Sequence, residues 1–381
     1  MTSSQPALFT PLDIRGVRLP NRIVVAPMCQ YSAVDGIAGD WHLVNLSKFA
    51  IGGAGLIFCE AAGVTPAGRI THGCAGFWND EQMAPWKPII KFIKAQGAVP
   101  AAQIAHAGRK GSTQRPWQGA DPLTETDAAR GEEPWITVAP SAEPSGDGWP
   151  VPYALDSSEV ETVIGQFADA ARRAIDAGFE VIEVHAAHGY LIHSFLSPLS
   201  NYRNDEWGGD REGRMRFALA IAEAVRAAMP DTAPLFFRIS AVDGGDGVGW
   251  TLDDSVVLAG GLKARGVDVI DCSSGGIDMN HMPAARLPRG PAFQVPFAER
   301  IRTDADIPTM AVGLITEAEQ AEAIVRDGQA DLVALARELM SNPHWPTHAA
   351  ITLGAEDAYR NWPDQVSWWL EKRDSHMAAK S

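Results

Sequence analysis

Short apolar runs recur along the chain, and each follows a helix-forming stretch that ends in a glycine. The pattern occurs at residues 53–58, 97–101, 178–182, 266–270 and 328–333. Glycine suits the end of a helix because it adopts the positive φ of the turn into the next strand, and an unbroken apolar run is typical of a strand buried in a parallel sheet. Further apolar runs that complete the set lie at residues 23–26, 235–239 and 308–312. Eight strands that alternate with helices predict a (β/α)8 TIM barrel.

Three segments lie outside this repeat. Residues 1–22 contain a turn at residues 13–18 and predict an N-terminal hairpin. Residues 108–153 follow the third strand and are rich in glycine, proline, tryptophan and acidic residues. A loop of this length in a compact domain is usually functional, so we expect a lid over the barrel mouth. Residues 355–381 form a C-terminal tail. No linker divides the chain, so residues 1–381 are predicted to form one barrel domain.

Composition narrows the class of protein. Apolar residues make up 46% of the chain and charged residues 21%, which suits a large globular core. The net charge of -15 argues against binding to nucleic acid or to an anionic membrane surface. The chain has neither a signal-peptide pattern nor an apolar run of membrane-spanning length, so a cytoplasmic location is expected. Its four cysteines lack C-x-x-C spacing, which predicts no disulfide framework and no zinc or iron–sulfur site.

The segment from His185 to Tyr190 carries the strongest chemical signal. It contains His185, His188 and Tyr190 directly after the apolar run at residues 179–184. In a parallel barrel, the chemistry lies at the carboxyl ends of the strands. Two neutral histidines can each donate a hydrogen bond to one carbonyl oxygen, and a tyrosine, with an unperturbed pKa of roughly 10, can deliver a proton. The segment therefore predicts a site that polarises a carbonyl group and protonates the carbon beside it.

Polar residues and glycines also lie at the carboxyl ends of the other predicted strands. They lie at residues 27–31, 60–61, 103, 238, 273–276, 313 and 337. The glycines and the arginine after the last two strands match the usual phosphate site of this fold, where backbone N–H groups and a helix N-terminus meet the anion. Gln103 and Arg238 offer donors for a planar, carbonyl-rich ring. No dinucleotide-binding G-x-G-x-x-G or P-loop motif is present. The set predicts a pocket for a phosphorylated flat cofactor.

Three motifs resemble those of the Old Yellow Enzyme family of flavin-dependent ene-reductases. They are APMCQYS at residues 26–32, QIAHAGRK at residues 103–110 and HGYLIHSFLSP at residues 188–198. Within that family the chain is most similar to the thermophilic-like class, which includes bacterial xenobiotic reductases. The resemblance covers residues 7–373, and the motifs are long and in order.

The resemblance assigns roles to individual residues. It implies proton donation by Tyr190 and substrate binding by His185, His188, Tyr31 and Cys29. Cys29 would also tune the flavin potential. Ala336 stands where the family usually has glycine, so its methyl group crowds the expected phosphate site. The implied FMN contacts are Pro27, Met28, Cys29, Ala61, Gln103, Arg238, Ser274, Gly313, Ala336 and Arg337.

The resemblance also implies an activity and an assembly. The reductant would be NADPH or NADH, and the substrates would be α,β-unsaturated carbonyl compounds and nitro compounds, reduced by a ping-pong mechanism. The tail would reach the active site of a neighbouring subunit in a homodimer or a dimer-based oligomer, through one of Arg360, Trp362 and Trp369.

Other interpretations remain open at this stage. His185 and His188 could bond only to the backbone or could share a metal ion, although no third ligand has a suitable spacing. Cys29 could be an inert buried thiol. The chain could be a related flavin barrel such as a dienoyl-CoA reductase, but it lacks the length and the cysteine cluster of those proteins. It could also be a flavin-free barrel, either a metal-dependent hydrolase or a non-catalytic binding protein.

Overall fold

The computed structural model describes residues 5–245, 247, 249–277 and 287–378. Within these ranges, eight parallel strands close into a barrel in the order β3-β4-β5-β8-β9-β10-β11-β12, which confirms the predicted TIM barrel. The strands are, in chain order, β1 (Leu12–Ile14), β2 (Val17–Leu19), β3 (Ile23–Val25), β4 (Leu56–Gly63), β5 (Val99–Ala105), β6 (Val138–Ala139), β7 (Tyr153–Ala154), β8 (Val181–Ala186), β9 (Leu235–Ser240), β10 (Val269–Ser273), β11 (Thr309–Val312) and β12 (Leu332–Leu335).

Helices follow the barrel strands, and the glycines of the repeat make the turns that return the chain to the sheet. Gly53, Gly97, Gly178, Gly266 and Gly328 all have positive φ, as predicted. The helices are α1 (Asp40–Ile51), α2 (Trp86–Ala95), α3 (Glu125–Ala128), α4 (Ser157–Ala177), α5 (Leu191–Leu196), α6 (Arg211–Ala228), α7 (Leu252–Lys263), α8 (Val295–Ala305), α9 (Ala318–Arg326), α10 (Arg337–Ser341), α11 (Trp345–Thr352) and α12 (Asp364–Ala378).

Side chains alternate between two apolar cores along each barrel strand, because successive residues of a strand point to opposite faces. The outward core joins strands to helices and includes Ile182, Phe237 and Ile270. The inward core fills one end of the barrel with Val24, Leu56, Val99, Val181, Phe236, Val269, Met310 and Leu332. This apolar plug leaves the carboxyl ends of the strands for polar side chains.

The segments outside the repeat differ in structure. β1 and β2 pair antiparallel and confirm the predicted hairpin. In the insertion at residues 108–153, β6 pairs with β7, which follows it. The Nε of Arg115, in the insertion, donates to the carbonyl of Tyr31 at 3.0 Å. The insertion therefore contacts the loop after β3, while its role as a lid stays a prediction. In the described part of the chain, no helix combines the length and the apolar character of a membrane span.

Candidate active site

The predicted site residues gather at the carboxyl end of the barrel. Pro27, Met28 and Cys29 follow β3, and Ser274, Gly313 and Ala336 follow β10, β11 and β12. Ala61, Gln103 and Arg238 lie within β4, β5 and β9. Their side chains therefore belong to the barrel wall, which is more rigid than a loop. The predicted runs at residues 53–58 and 97–101 were too short, because β4 and β5 continue to Gly63 and Ala105.

His185 and His188 lie side by side at the end of β8. Their rings are perpendicular with centroids 5.1 Å apart, and His185 Nε2 lies 3.3 Å from His188 Nδ1. The backbone N–H of Ala187 donates to His185 Nδ1 at 3.3 Å. His188 Nε2 lies 2.7 Å from the hydroxyl of Ser273, at the end of β10. Because His185 Nδ1 accepts a hydrogen bond, its ring proton is on Nε2, which faces its partner.

Burial keeps both imidazoles neutral. Desolvation and then the positive charge of Arg238 lower the pKa of His185 well below its usual value, and the same two causes lower the pKa of His188. A neutral imidazole has one N–H donor and one acceptor nitrogen. The pair can therefore donate hydrogen bonds to an oxygen atom that gains negative charge, without adding a full positive charge to the pocket.

Tyr190 lies next to His185. The two rings are perpendicular with centroids 5.0 Å apart. Desolvation, and then the nearby Cys29, raises the pKa of Tyr190 above its usual value. The phenol therefore keeps its proton at neutral pH and can act as a general acid toward a carbon atom held beside it.

A buried hydrogen-bonded pair that sequence reasoning missed holds the His185–Tyr190 segment in place. The backbone N–H of Gly189 donates to His193 Nδ1 at 2.8 Å, and His193 Nε2 lies 2.7 Å from Asp243 Oδ1. Both side chains of the pair are fully buried. Gly189 has φ of +78°, and a Cβ there would lie 2.2 Å from the carbonyl oxygen of Gly276. His193 was visible in the third motif, but its partner 50 residues away was not.

Cys29 and Tyr31 lie together on the loop after β3. The Tyr31 hydroxyl and the Cys29 thiol are hydrogen-bonded, and desolvation raises the pKa of both groups. Cys29 is therefore a thiol and not a thiolate. The loop is anchored by Glu60, whose Oε2 accepts from the N–H of Gln30 at 3.1 Å and whose Oε1 lies 3.0 Å from Nε2 of the buried His42.

The mouth of the barrel offers polar groups that fit FMN. Gln103 and Arg238 are 1% and 8% exposed, and the Nε of Arg238 has no aligned hydrogen-bond acceptor among the described residues. These groups can donate to the carbonyl oxygens and ring nitrogens of a flavin. Gly313 has φ of +119°, and a Cβ there would lie 2.7 Å from Gln294 Nε2, so a side chain at this position would meet Gln294.

Gln294 braces the loops at the expected phosphate end. It accepts a hydrogen bond from the Ser274 hydroxyl at 2.6 Å and donates to the carbonyl of Val312 at 2.8 Å. Nothing in the repeat pattern marked this residue. Arg337 begins α10 and is exposed, and Ala336 beside it is half-buried. Both residues reach the same end of the barrel, so the arginine is free to meet a phosphate group there.

The tail residues divide into two groups. Trp362 is 5% exposed, and its Nε1 donates to His344 Nδ1 at 3.2 Å. It packs on its own chain and is therefore less suited to reach a neighbouring subunit than the other two candidates. Trp369 is 66% exposed, and Arg360 is exposed and ion-paired with Asp357 at 3.0 Å. The tail ends at residues 379–381, which lie outside the described residues.

Metal binding receives no support from the described ranges, since no group of three potential metal ligands occurs there. His185 and His188 are instead bonded to each other and to Ser273. These contacts satisfy the rings without an ion.

Known proteins match almost the whole chain. The sequence profile of the NADH:flavin oxidoreductase / NADH oxidase family covers residues 7–356. The NADPH dehydrogenase of Geobacillus thermodenitrificans is 45% identical over 352 residues, which are 92% of this chain and 95% of that protein. The NADPH dehydrogenase of Bacillus subtilis is 41% identical over 354 residues, which are 92% of this chain and 96% of that protein. The solved structure of morphinone reductase matches with a TM-score of 0.72 at 27% identity over 95% of each chain.

The barrel, its polar pocket and the matching proteins together identify the class of this protein. It is an FMN-dependent NAD(P)H oxidoreductase built on a TIM barrel. The chain belongs to the NADH:flavin oxidoreductase / NADH oxidase family, of which Old Yellow Enzyme is a member. FMN and NAD(P)H are accordingly its cofactors, and the flavin-free alternatives are wrong.

Proposed function

We propose that this enzyme reduces the activated C=C bond of α,β-unsaturated carbonyl compounds, and of the corresponding nitro compounds, by a ping-pong mechanism with NAD(P)H as the reductant. The observation that carries the proposal is the convergence of two neutral histidines and a protonated tyrosine at one strand end. Nitro and carbonyl oxygens both accept hydrogen bonds and both gain negative charge when the adjacent C=C bond is reduced. NADPH is the first reductant to test, because the relatives are named NADPH dehydrogenases.

FMN, held by groups such as Gln103 and Arg238, would supply the hydride chemistry between NAD(P)H and the β carbon of the substrate. His185 and His188 would bind the substrate oxygen. Without substrate, the Nε2–H of His185 points to His188. The substrate oxygen would replace His188 as the acceptor of this hydrogen bond. Negative charge that develops on this oxygen is then stabilised by fixed donors in a site of low polarity.

Tyr190 would protonate the α carbon. Its ring contacts His185, so a substrate bound to the histidines lies next to the phenol. The raised pKa of Tyr190 keeps the proton available at neutral pH. One pocket would serve NAD(P)H and the enone in turn, which is the basis for the ping-pong order.

The proposal is tested by turnover assays with NADPH and NADH against a panel of enones, enals, maleimides and nitroalkenes. We expect parallel double-reciprocal plots and saturated products. If NADPH is oxidised only with dioxygen or quinones and no panel compound is reduced, the enone proposal is wrong.

Replacement of Cys29 by alanine should shift the midpoint potential and the absorption spectrum of the flavin while the protein still binds FMN. The reason is that a thiol beside the ring acts on its electronics and does not anchor the phosphate. Spectroelectrochemical titration measures the potential. Cys59→Ala is the matched control, since Cys59 is a buried thiol on the outward face of β4 and should leave the potential unchanged. An unchanged potential in Cys29→Ala would identify Cys29 as an inert thiol.

We also propose that the tail completes the substrate site of a neighbouring subunit in a homodimer or dimer-based oligomer. Trp368 and Trp369 are 50% and 66% exposed on α12, and exposed tryptophans on one helix are typical of a protein interface. Arg360 and Trp369 are the candidates to cross the interface, because Trp362 packs on its own chain.

Truncation after Pro363 should lower the oligomeric state and raise the KM for enones, while FMN stays bound. This cut removes α12 but keeps Trp362 in its intramolecular contacts. Light scattering and steady-state kinetics check the two effects, with Trp369→Ala as a milder variant. A monomeric full-length protein would rule out the shared site, and a truncated protein with unchanged mass and KM would rule out α12, with Trp369, as the element that crosses.

A further inference from the structure

A layer of polar side chains crosses the barrel interior between the apolar plug and the histidine pair. It consists of Gln103, Glu183, Arg238 and Asp271, one from each of the consecutive strands β5, β8, β9 and β10. Gln103 is in register with Glu183, and Arg238 is in register with Asp271. Glu183 and Asp271 are 0% exposed, so the layer holds two carboxyl groups buried away from the surface.

The contacts of the layer satisfy these carboxyl groups only in part. Arg238 Nε lies 3.1 Å from Asp271 Oδ2, and Gln103 Nε2 donates to Glu183 Oε1 at 2.8 Å. Within the described ranges, Glu183 Oε2 and both oxygens of Asp271 have no aligned hydrogen-bond donor. One guanidinium cannot neutralise two buried carboxylates, and two like charges at such a site do not both ionise near neutral pH.

The two carboxyl groups differ in their protonation. Burial, and then the charge of Asp271, raises the pKa of Glu183 well above its usual value. Burial raises the pKa of Asp271 to about 6, although Arg238 opposes the shift. Near pH 7, Glu183 therefore carries a proton and Asp271 is ionised beside Arg238. The layer is then neutral overall, and Asp271 titrates close to physiological pH.

The groups that face Asp271 and Glu183 come from each neighbouring strand. β9 contributes Arg238, β5 contributes Gln103, and β11 places Met310 in register with Asp271. On the mouth side, His185 lies two residues beyond Glu183 on the same face of β8, and it is neutral. Within the described part of these strands, Arg238 is therefore the charge on which the protonation of Asp271 depends.

We propose that Asp271 takes up a proton from solvent when the flavin bound over Arg238 becomes reduced, and releases it when the flavin is reoxidised. This inference rests on the proposed placement of the flavin against Gln103 and Arg238. NAD(P)H supplies two electrons and one proton to the ring as hydride, which adds one negative charge there. That negative charge attracts Arg238 and so weakens the ion pair between Arg238 and Asp271. Asp271 is then neutralised by a second proton, which comes from water through the buffer. Asp271 is thus a positioning residue that acts on the flavin through Arg238.

The proposal predicts the pH dependence of the midpoint potential in the FMN-loaded protein. For a two-electron couple, each linked proton contributes about 29.6 mV per pH unit, since a tenfold change in K corresponds to that potential. Hydride gain alone accounts for one proton. We therefore expect the potential to fall about twice as steeply with rising pH above about pH 6, and to return to the single-proton slope below it, where Asp271 is already protonated.

Two isosteric variants test the assignment in spectroelectrochemical titrations. Asp271→Asn should show the single-proton slope throughout, because asparagine cannot take up the proton. Glu183→Gln should keep the steep slope, because glutamine resembles the protonated Glu183 of the unaltered enzyme. A single-proton slope in the unaltered enzyme, or a steep slope that survives in Asp271→Asn, would overturn the proposal.

A second measurement covers variants that do not fold. The unaltered enzyme is reduced without oxygen by one equivalent of NADPH, whose hydride carries the proton of the ring, in a weakly buffered solution at pH 7 with an indicator dye. The protons taken up from solution per FMN are counted. Uptake of one proton beyond the one on the ring supports the proposal, and none beyond it contradicts the proposal. Reoxidation of the same sample by an enone is recorded separately, so a failure of the enone activity is distinguishable from a failure of the proton linkage.

Discussion

Tyr190→Phe should slow the reoxidation of the reduced flavin by an enone by about 10²–10⁴-fold, the usual contribution of a positioned general acid. Reduction of the flavin by NADPH should stay near its normal rate, because that step needs no proton from the phenol. The substitution keeps the ring, which packs against His185, so the pocket should keep its shape. Stopped-flow absorbance measures the two half-reactions separately.

The matched control for this variant is Tyr31→Phe, which removes the other phenol of the pocket. Tyr31 bonds to Cys29 and has no proposed role in proton transfer, so its loss should alter substrate affinity more than the rate of reoxidation. Equal slowing of both half-reactions in Tyr190→Phe would mean that Tyr190 has only a structural role.

Replacement of both His185 and His188 by alanine should lower the rate of enone reduction by about 10²–10³-fold or more, as the loss of one charge-stabilising donor typically does. The protein should still bind FMN, because the proposed flavin contacts lie on other strands. Phenols, whose oxygen can accept hydrogen bonds from the same two imidazoles, should bind more weakly, and a spectral titration with a phenol measures this loss.

Single variants separate the two histidines. His185 is fixed by the N–H of Ala187, and His188 by the hydroxyl of Ser273. Ser273→Ala should therefore weaken only the contribution of His188. Enone turnover at the normal rate in the double variant would show that the pair does not bind the substrate oxygen.

The barrel could be predicted from the sequence because each strand–helix unit repeats the same local pattern, a glycine at the helix end followed by an apolar run. Five glycines marked helix ends, and all five have positive φ. The strand lengths were less predictable, since the apolar runs stop where polar inward residues begin. Gln103 therefore lay beyond the predicted run at residues 97–101, although it belongs to β5.

Pairings between distant residues could not be predicted from the sequence. His193 and Asp243 are 50 residues apart, and the contact between Arg238 and Asp271 depends on the register of two strands. A carboxylate within an apolar run, such as Glu183 in β8, is a signal that could have been used, because a charged residue at an inward position needs a partner. The identity of that partner required the structure.

Reduced enzyme should pass electrons to an enone in the His185–Tyr190 pocket. The most direct test is to reduce the protein without oxygen with one equivalent of NADPH and to mix it with 2-cyclohexen-1-one, while the flavin absorbance and the products are followed. We predict complete reoxidation of the flavin with formation of one equivalent of cyclohexanone per FMN. A flavin that stays reduced until oxygen is admitted, with the enone unchanged, would show that this pocket does not reduce enones.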